Sequence, residues 1–165
     1  MTTQPAFGRL TKSVTRMQRT CNTLLWLTSA QKNQQSTDVN QTIKLVLNDT
    51  QELLSVHQIQ TNVIANAQLS LVIPAVVLEL MIFTLLTNVI HHCQVDGSEK
   101  QWLIIIDDTS VTFSNPIIKD ASKQQNSERF GLGHTLIDKL AKKFELQFFS
   151  RCIPPDFVAT IKKTY

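Results

Sequence analysis

From Leu69 to Leu86 the chain is almost continuously apolar, and the residues that interrupt it decide what it can become. A helix that spans a bilayer needs about 20 nearly unbroken apolar residues. Pro74, Glu79 and Thr84 break this run, so it reads as a strand followed by a helix. The strand is expected over Gln68 to Ile73 and the helix over about 75–92. A second buried strand is expected at Gln101 to Asp107, because Leu103-Ile104-Ile105-Ile106 is apolar on both faces. Strands and helices that bury this much surface belong to a folded α+β core.

The remaining elements follow from periodicity. Leu10, Val14, Met17, Cys21, Leu24 and Thr28 step by fours and threes, which predicts a long helix over about 8–33. Arg9, Lys12, Arg16 and Arg19 lie off that seam. The stripe fits either an amphipathic helix on its own domain or a seam for a partner helix. Gln31 to Thr37 is polar and reads as a loop. Asp38 can cap a helix over roughly 39–55, with Ile43, Val46, Leu47, Leu53 and Leu54 on its apolar face. Ile59 to Ile64 is strand-like and is separated from the next strand by Ala65-Asn66-Ala67. Ser114 to Phe130 is polar and irregular, the character of a lid. A helix over about 133–144 precedes two closing strands, Glu145 to Cys152 and Phe157 to Thr164, joined around Pro154-Pro155-Asp156. The order is a long N-terminal helix, then about five strands and about three helices.

Several function classes drop out. A formal charge of +3 is too small to argue for nucleic acid. Cys21, Cys93 and Cys152 are odd in number, widely spaced and without a CxxC pair, which fits a reducing compartment. No basic start and apolar core mark a signal peptide, so a soluble cytoplasmic piece is expected. His91-His92-Cys93 is rejected as a metal site, because adjacent helix residues point about 100° apart. A nucleophilic pair of Cys93 or Cys152 with a histidine lacks any local signature.

Three features carry chemistry. On the third helix Thr84, Asn88, His91 and His92 form a polar line. A buried asparagine left unpaired costs about 1–3 kcal/mol, so Asn88 needs a definite partner, either a backbone group or a ligand. Asp107-Asp108-Thr109 puts a carboxylate at a strand end, as a ligand contact or as a turn starter. Gly131-Leu132-Gly133 opens a helix, where glycines let backbone approach a ligand and free N–H groups face an anion. An ordinary helix-entry turn would also use them.

Taken in order, these features resemble the N-box and two glycine boxes of sensor histidine kinase ATPase domains. The matching segments are Leu85-Leu86-Thr87-Asn88-Val89-Ile90, the strand ending in Asp107, the polar lid, and Gly131-Leu132-Gly133-His134-Thr135-Leu136-Ile137. Arg16-Met17 through Leu24-Leu25-Trp26-Leu27 is similar to the second helix of that family's dimerisation hairpin, and Glu145 to Thr164 to its last two strands. The resemblance spans nearly the whole chain. It implies a two-layer α/β sandwich with a mixed sheet, divided into a partial hairpin helix at 1–35 and an ATP-binding domain at 36–165.

It also implies roles. Asn88 would hold Mg²⁺, His91 would face phosphate and His92 would pack against adenine. Asp107 would accept the adenine amino group, with Thr109 beside it, and Gly131, Leu132 and Gly133 would bind phosphate at the helix start. The 114–130 segment would close over ATP. Implied partners are ATP or ADP, a response-regulator receiver domain, and a second copy through residues 8–33. The implied location is the cytoplasmic side of an inner-membrane protein.

The match has departures. Thr84 stands where many relatives have asparagine, His134 where they have leucine, and Arg129 where a glycine often leads. Thr109 and Val111 stand at positions where the family has glycine. A β-branched residue does not readily take positive φ, so the loop beneath adenine is expected to differ in shape. The alternative reading is therefore a pseudokinase or scaffold that keeps the fold without productive nucleotide binding. None of His57, His91, His92 and His134 lies on residues 8–33, and the family's phosphoacceptor histidine sits on the preceding hairpin helix. Met1 is accordingly read as an internal start, and this chain alone is not expected to autophosphorylate.

Overall fold

The apolar run divides at its proline. In the computed structural model, which describes residues 35–92, 100–116, 132–153 and 155–164 without the side chains of His91, His92 and Leu132, a strand at Ser70–Val72 ends just before Pro74 and a helix begins at Ala75. The Pro74 carbonyl accepts from Val77 N–H at 2.9 Å and Leu78 N–H at 3.1 Å, closing the first turn. Proline fits at a helix start because its missing N–H has no partner there anyway.

In chain order the described elements are β1 (Ser36–Asp38), α1 (Val39–Asp49), α2 (Gln51–Val56), β2 (Ile59–Ala65), β3 (Ser70–Val72) and α3 (Ala75–His92). They continue with β4 (Lys100–Ile106), β5 (Ser110–Pro116), α4 (Leu132–Lys143), β6 (Leu146–Ile153) and β7 (Asp156–Lys163). Five strands form one sheet in the order β2-β4-β5-β7-β6. β2 runs parallel to β4 and the other pairs are antiparallel, so the sheet is mixed. β1 and β3 make a separate antiparallel ribbon.

One sheet face is dry. Trp102, Ile104 and Ile106 of β4, Val111 and Phe113 of β5, and Ala159 and Ile161 of β7 are buried. They form a single core with Ile43 of α1, Leu78, Met81, Ile82 and Leu86 of α3, and Ile137 and Leu140 of α4. α3 packs against both α1 and α4, which explains why it is apolar nearly all round. The opposite positions Leu103, Ile105, Thr112 and Thr160 are only half-buried. The expected α+β sandwich, five mixed strands beneath a helical layer, is therefore what the chain forms. Among the described residues no helix is long and apolar enough to cross a membrane.

Four local expectations are corrected. Gln31 to Thr37 is not loop to its end, because Ser36–Asp38 pairs with Ser70–Val72 as β1. The helix expected over 39–55 is two helices, α1 and α2, broken at Thr50. There the Thr50 hydroxyl donates back to the Val46 carbonyl at 2.6 Å, a bond that bends helices. β4 is buried on one face rather than two. The polar segment starts later than Ser114, because Val111, Phe113 and Asn115 point inward from β5. The long helix expected over 8–33 and the remainder of the lid, 117–130, lie outside the described residues.

Candidate functional site

Asn88 sits in the last full turns of α3, flanked by the buried Leu85, Leu86 and Val89. It is half-buried itself, and its side-chain amide makes no hydrogen bond with any described residue. The backbone partner that a structural asparagine would have is thus not found among them. One turn earlier, the Thr84 hydroxyl donates to the Leu80 carbonyl at 2.8 Å. The hydroxyl is engaged along its own helix, and the methyl group faces across to α4.

What it faces is Gly133. A Cβ placed on Gly133 would lie 2.9 Å from Thr84 Cγ2 and 3.7 Å from Asn88 Oδ1. The first distance is shorter than real Cβ contacts, so any side chain at 133 would force Thr84 or one of the helices to shift. Gly133 is the second residue of α4, inside the turn whose N–H groups have no helical acceptor. That first turn carries no acidic residue to offset its positive end. Sequence reasoning assigned Gly133 to ligand approach; the side on which its Cβ would stand is occupied by α3.

Asp107 follows β4 and opens a tight connection to β5. Its N–H donates to the Ser110 carbonyl at 2.9 Å, and Lys163 on β7 clasps the same turn. Lys163 N–H donates to the Thr109 carbonyl at 2.9 Å, and its ammonium donates to the Asp108 carbonyl at 3.3 Å. Thr109 is half-buried and Val111 lies fully buried in β5. Neither has positive φ; among described non-glycine residues only Gln58 and Glu145 do. The connection is a short hairpin built without glycine.

A residue that sequence reasoning missed stands beside Asp107. Asn66 donates its side-chain N–H to Asp107 Oδ1 at 2.9 Å, while its backbone N–H donates to the Ile106 carbonyl at 2.9 Å. One carboxylate oxygen is thereby held and the other, Oδ2, has no partner among the described residues. The only hint in the sequence was an asparagine in the turn after a strand, which is too common to single out.

His134, next to Gly133, ties α4 to the sheet edge. Its Nε2 is hydrogen-bonded to the Ser150 hydroxyl on β6, and its ring packs on Phe148 with centroids 5.0 Å apart. Burial lowers its pKa from the ordinary imidazole value, against a smaller upward pull from the Asp138 carboxylate. His91 and His92 end α3, and Leu132 begins α4, but their side chains are not described; Gly131 lies outside the described residues. Among the described residues no cluster of three or more His, Cys, Asp and Glu could hold a metal. The Asn88 side-chain oxygen would be compatible with an ion such as Mg²⁺, which keeps several waters and takes few protein ligands beside phosphates.

No family model matches the chain, and no curated protein matches it by sequence. Solved structures do match in shape. The cytoplasmic segment of histidine kinase QseC superposes with a TM-score of 0.66 at 15% identity, covering 92% of this chain and 93% of that one. Acinetobacter baumannii histidine kinase AdeS gives 0.64 at 13% identity, covering 99% and 86%. Histidine kinase ThkA, solved in complex with the response regulator protein TrrA, gives 0.59 at 16% identity, covering 99% and 52%. The chain therefore has the fold of these histidine kinase structures, of α+β type.

Proposed function

We propose that the chain is the ATP-binding catalytic domain of a two-component sensor histidine kinase. In the intact protein it would present Mg-ATP to a histidine on the dimerisation hairpin. The observation that carries this reading is the contact between Gly133 and the Thr84–Asn88 face. Two motifs picked out separately in the sequence meet, and the asparagine between them has no partner among the described residues.

Each residue then has a task. The Asn88 side-chain oxygen holds the metal, and the α4 N-terminus, with Gly131, Leu132 and Gly133, orients the phosphates. Asp107 Oδ2 accepts the adenine amino group while Asn66 fixes the carboxylate, with Thr109 lining the base. His91 faces phosphate and His92 packs on adenine. Mg²⁺ held by Asn88 would supply charge neutralisation for phosphoryl transfer; the protein's part would be positioning. Residues 8–33 pair with a second copy, and a receiver domain takes the phosphoryl group, as the ThkA–TrrA complex suggests for the partner class. The intact protein would keep this domain on the cytoplasmic side of the inner membrane.

Thermal unfolding with and without Mg-ATP or Mg-ADP tests this. A nucleotide at about 100 times its dissociation constant should add roughly 2.7 kcal/mol to stability. No shift at millimolar nucleotide would establish the scaffold reading, which the glycine-free hairpin at Asp107–Ser110 otherwise keeps in play.

A further inference from the structure

The Thr84 hydroxyl is engaged within its own helix, which leaves its methyl group to make the contact across to α4. The bond from Oγ1 to the Leu80 carbonyl, 2.8 Å, fixes the rotamer, because a helical threonine is held in place when its hydroxyl bonds back one turn. With the hydroxyl so placed, the methyl Cγ2 takes the space that a Cβ on Gly133 would need, at 2.9 Å. The same would-be Cβ lies 3.7 Å from Asn88 Oδ1, one turn along the same helix face. Three atoms therefore set one spacing: the Thr84 methyl, the Gly133 Cα and the Asn88 amide oxygen.

We propose that Thr84 is a positioning residue, whose methyl group against Gly133 sets how closely the first turn of α4 approaches Asn88. This rests on the nucleotide-binding reading above. Under it, Asn88 oxygen and the α4 N–H groups bind opposite parts of one Mg-phosphate unit, so their separation must match that unit. α3 packs against both α1 and α4 in a close-packed core, which resists a shift at the contact. Gly133 is then required by the neighbouring helix, and a substitution at Thr84 can compensate for one at Gly133.

The size swap tests this in the full chain, with Mg-ADP affinity measured by calorimetry and melting followed in parallel. Gly133→Ala should weaken Mg-ADP binding by about tenfold or more, since misplacements near 1 Å cost up to about a hundredfold. Thr84→Ser keeps the hydroxyl bonded to Leu80 and deletes the obstructing methyl. The double variant Thr84→Ser/Gly133→Ala should therefore bind within about threefold of wild type, a rescue that ordinary loss of stability would not produce. ADP without Mg²⁺ should show a smaller loss in Gly133→Ala, because the metal bridge is what the spacing serves.

Wild-type-like Mg-ADP binding by Gly133→Ala overturns the proposal. So does a loss that Thr84→Ser fails to repair, or an equal loss with and without Mg²⁺. If Gly133→Ala does not fold, Thr84→Ser alone decides: it should weaken Mg-ADP binding about threefold through a loosened contact, and unchanged binding overturns the idea. A wild type that binds no nucleotide overturns the functional reading itself, before any variant is compared.

Discussion

Asp107→Asn separates what this residue does for the fold from what it does for a ligand. In the folded chain Asn66 donates to Asp107 Oδ1 at 2.9 Å. An asparagine at 107 keeps an oxygen in that place, so the contact survives as a neutral hydrogen bond. The contact lies at an exposed position, and neutral pairs there contribute about 0.5–1.5 kcal/mol; losing only its charge-assisted part should lower stability by less than about 1 kcal/mol. With Oδ1 still facing Asn66, the atom left over changes from Oδ2, an acceptor, to an NH₂ donor. That donor would face the adenine amino group, itself a donor. The lost bond to a charged acceptor is worth about 1.5–3 kcal/mol, which is roughly 10- to 150-fold in affinity. The same NH₂ group could donate to the carbonyl oxygen that guanine carries in place of the amino group, so the ADP-over-GDP preference should shrink or reverse. Calorimetry with Mg-ADP and Mg-GDP, beside urea unfolding of both proteins, reads all three quantities. If stability falls as far as affinity does, with base preference unchanged, Asp107 is a structural residue of the hairpin and the reasoning is wrong.

Two further outcomes follow from local chemistry. The His134 pKa is lowered by burial, so the folded chain binds that proton less tightly than the unfolded chain does. Its stabilising contribution is therefore full above about pH 6.5, the ordinary imidazole value, and is lost as pH falls through the folded value. The stability gap between wild type and His134→Gln, measured by urea unfolding, should narrow from pH 7.5 to 5.5; a constant gap would show that the side chain does not titrate across folding. Asp38 caps α1 by accepting from Gln41 N–H at 3.0 Å, and takes a second bond from Gln68 at 2.6 Å. Asp38→Ala should cost about 1–2 kcal/mol in urea unfolding without altering nucleotide affinity of the folded chain, and an unchanged midpoint would show that the cap contributes nothing.

The parts of the fold that were legible are those whose signal is local. α3 was expected over about 75–92 and spans Ala75–His92, because its apolar residues and the proline before it act within a few turns. The last two strands and α4 were legible for the same reason. β1 was not, since Ser-Thr-Asp has little strand character of its own and becomes a strand only by pairing with Ser70–Val72. The break at Thr50 turned on one hydroxyl choosing the Val46 carbonyl, which periodicity does not record. In β5 the alternation of Val111, Phe113 and Asn115 was present, but its third member is polar and merged with the polar run that follows. At the candidate site Asn88, Asp107 and Gly133 could be named from motif order. Their neighbour Asn66 could not, because it acts through an atom brought in from a distant segment, and Thr84, although named on the polar line, gave no sign that its methyl group faces Gly133.

The glycine-free hairpin bears on how such a site would work. Asp107 is held at its backbone by Ser110, at its side chain by Asn66, and through its turn by Lys163, all before any ligand is considered. Glycines at Thr109 and Val111 would leave that turn free to adapt, and ordering it on binding would cost conformational entropy. A hairpin fixed in advance avoids that cost but accepts only a base that already fits, which is the usual exchange between preorganisation and tolerance. The other half of the proposed site lies at a contact between two helices, where the Thr84 methyl group stands against Gly133. Both halves of the proposed site thus rest on the sheet and α3, so departures from the glycine pattern of histidine kinase domains would be compatible with binding under the proposed function. Under the proposed function they would place selectivity in Asp107 and Asn66, and spacing in Thr84 and Gly133, so substitution at these four positions should change nucleotide binding first.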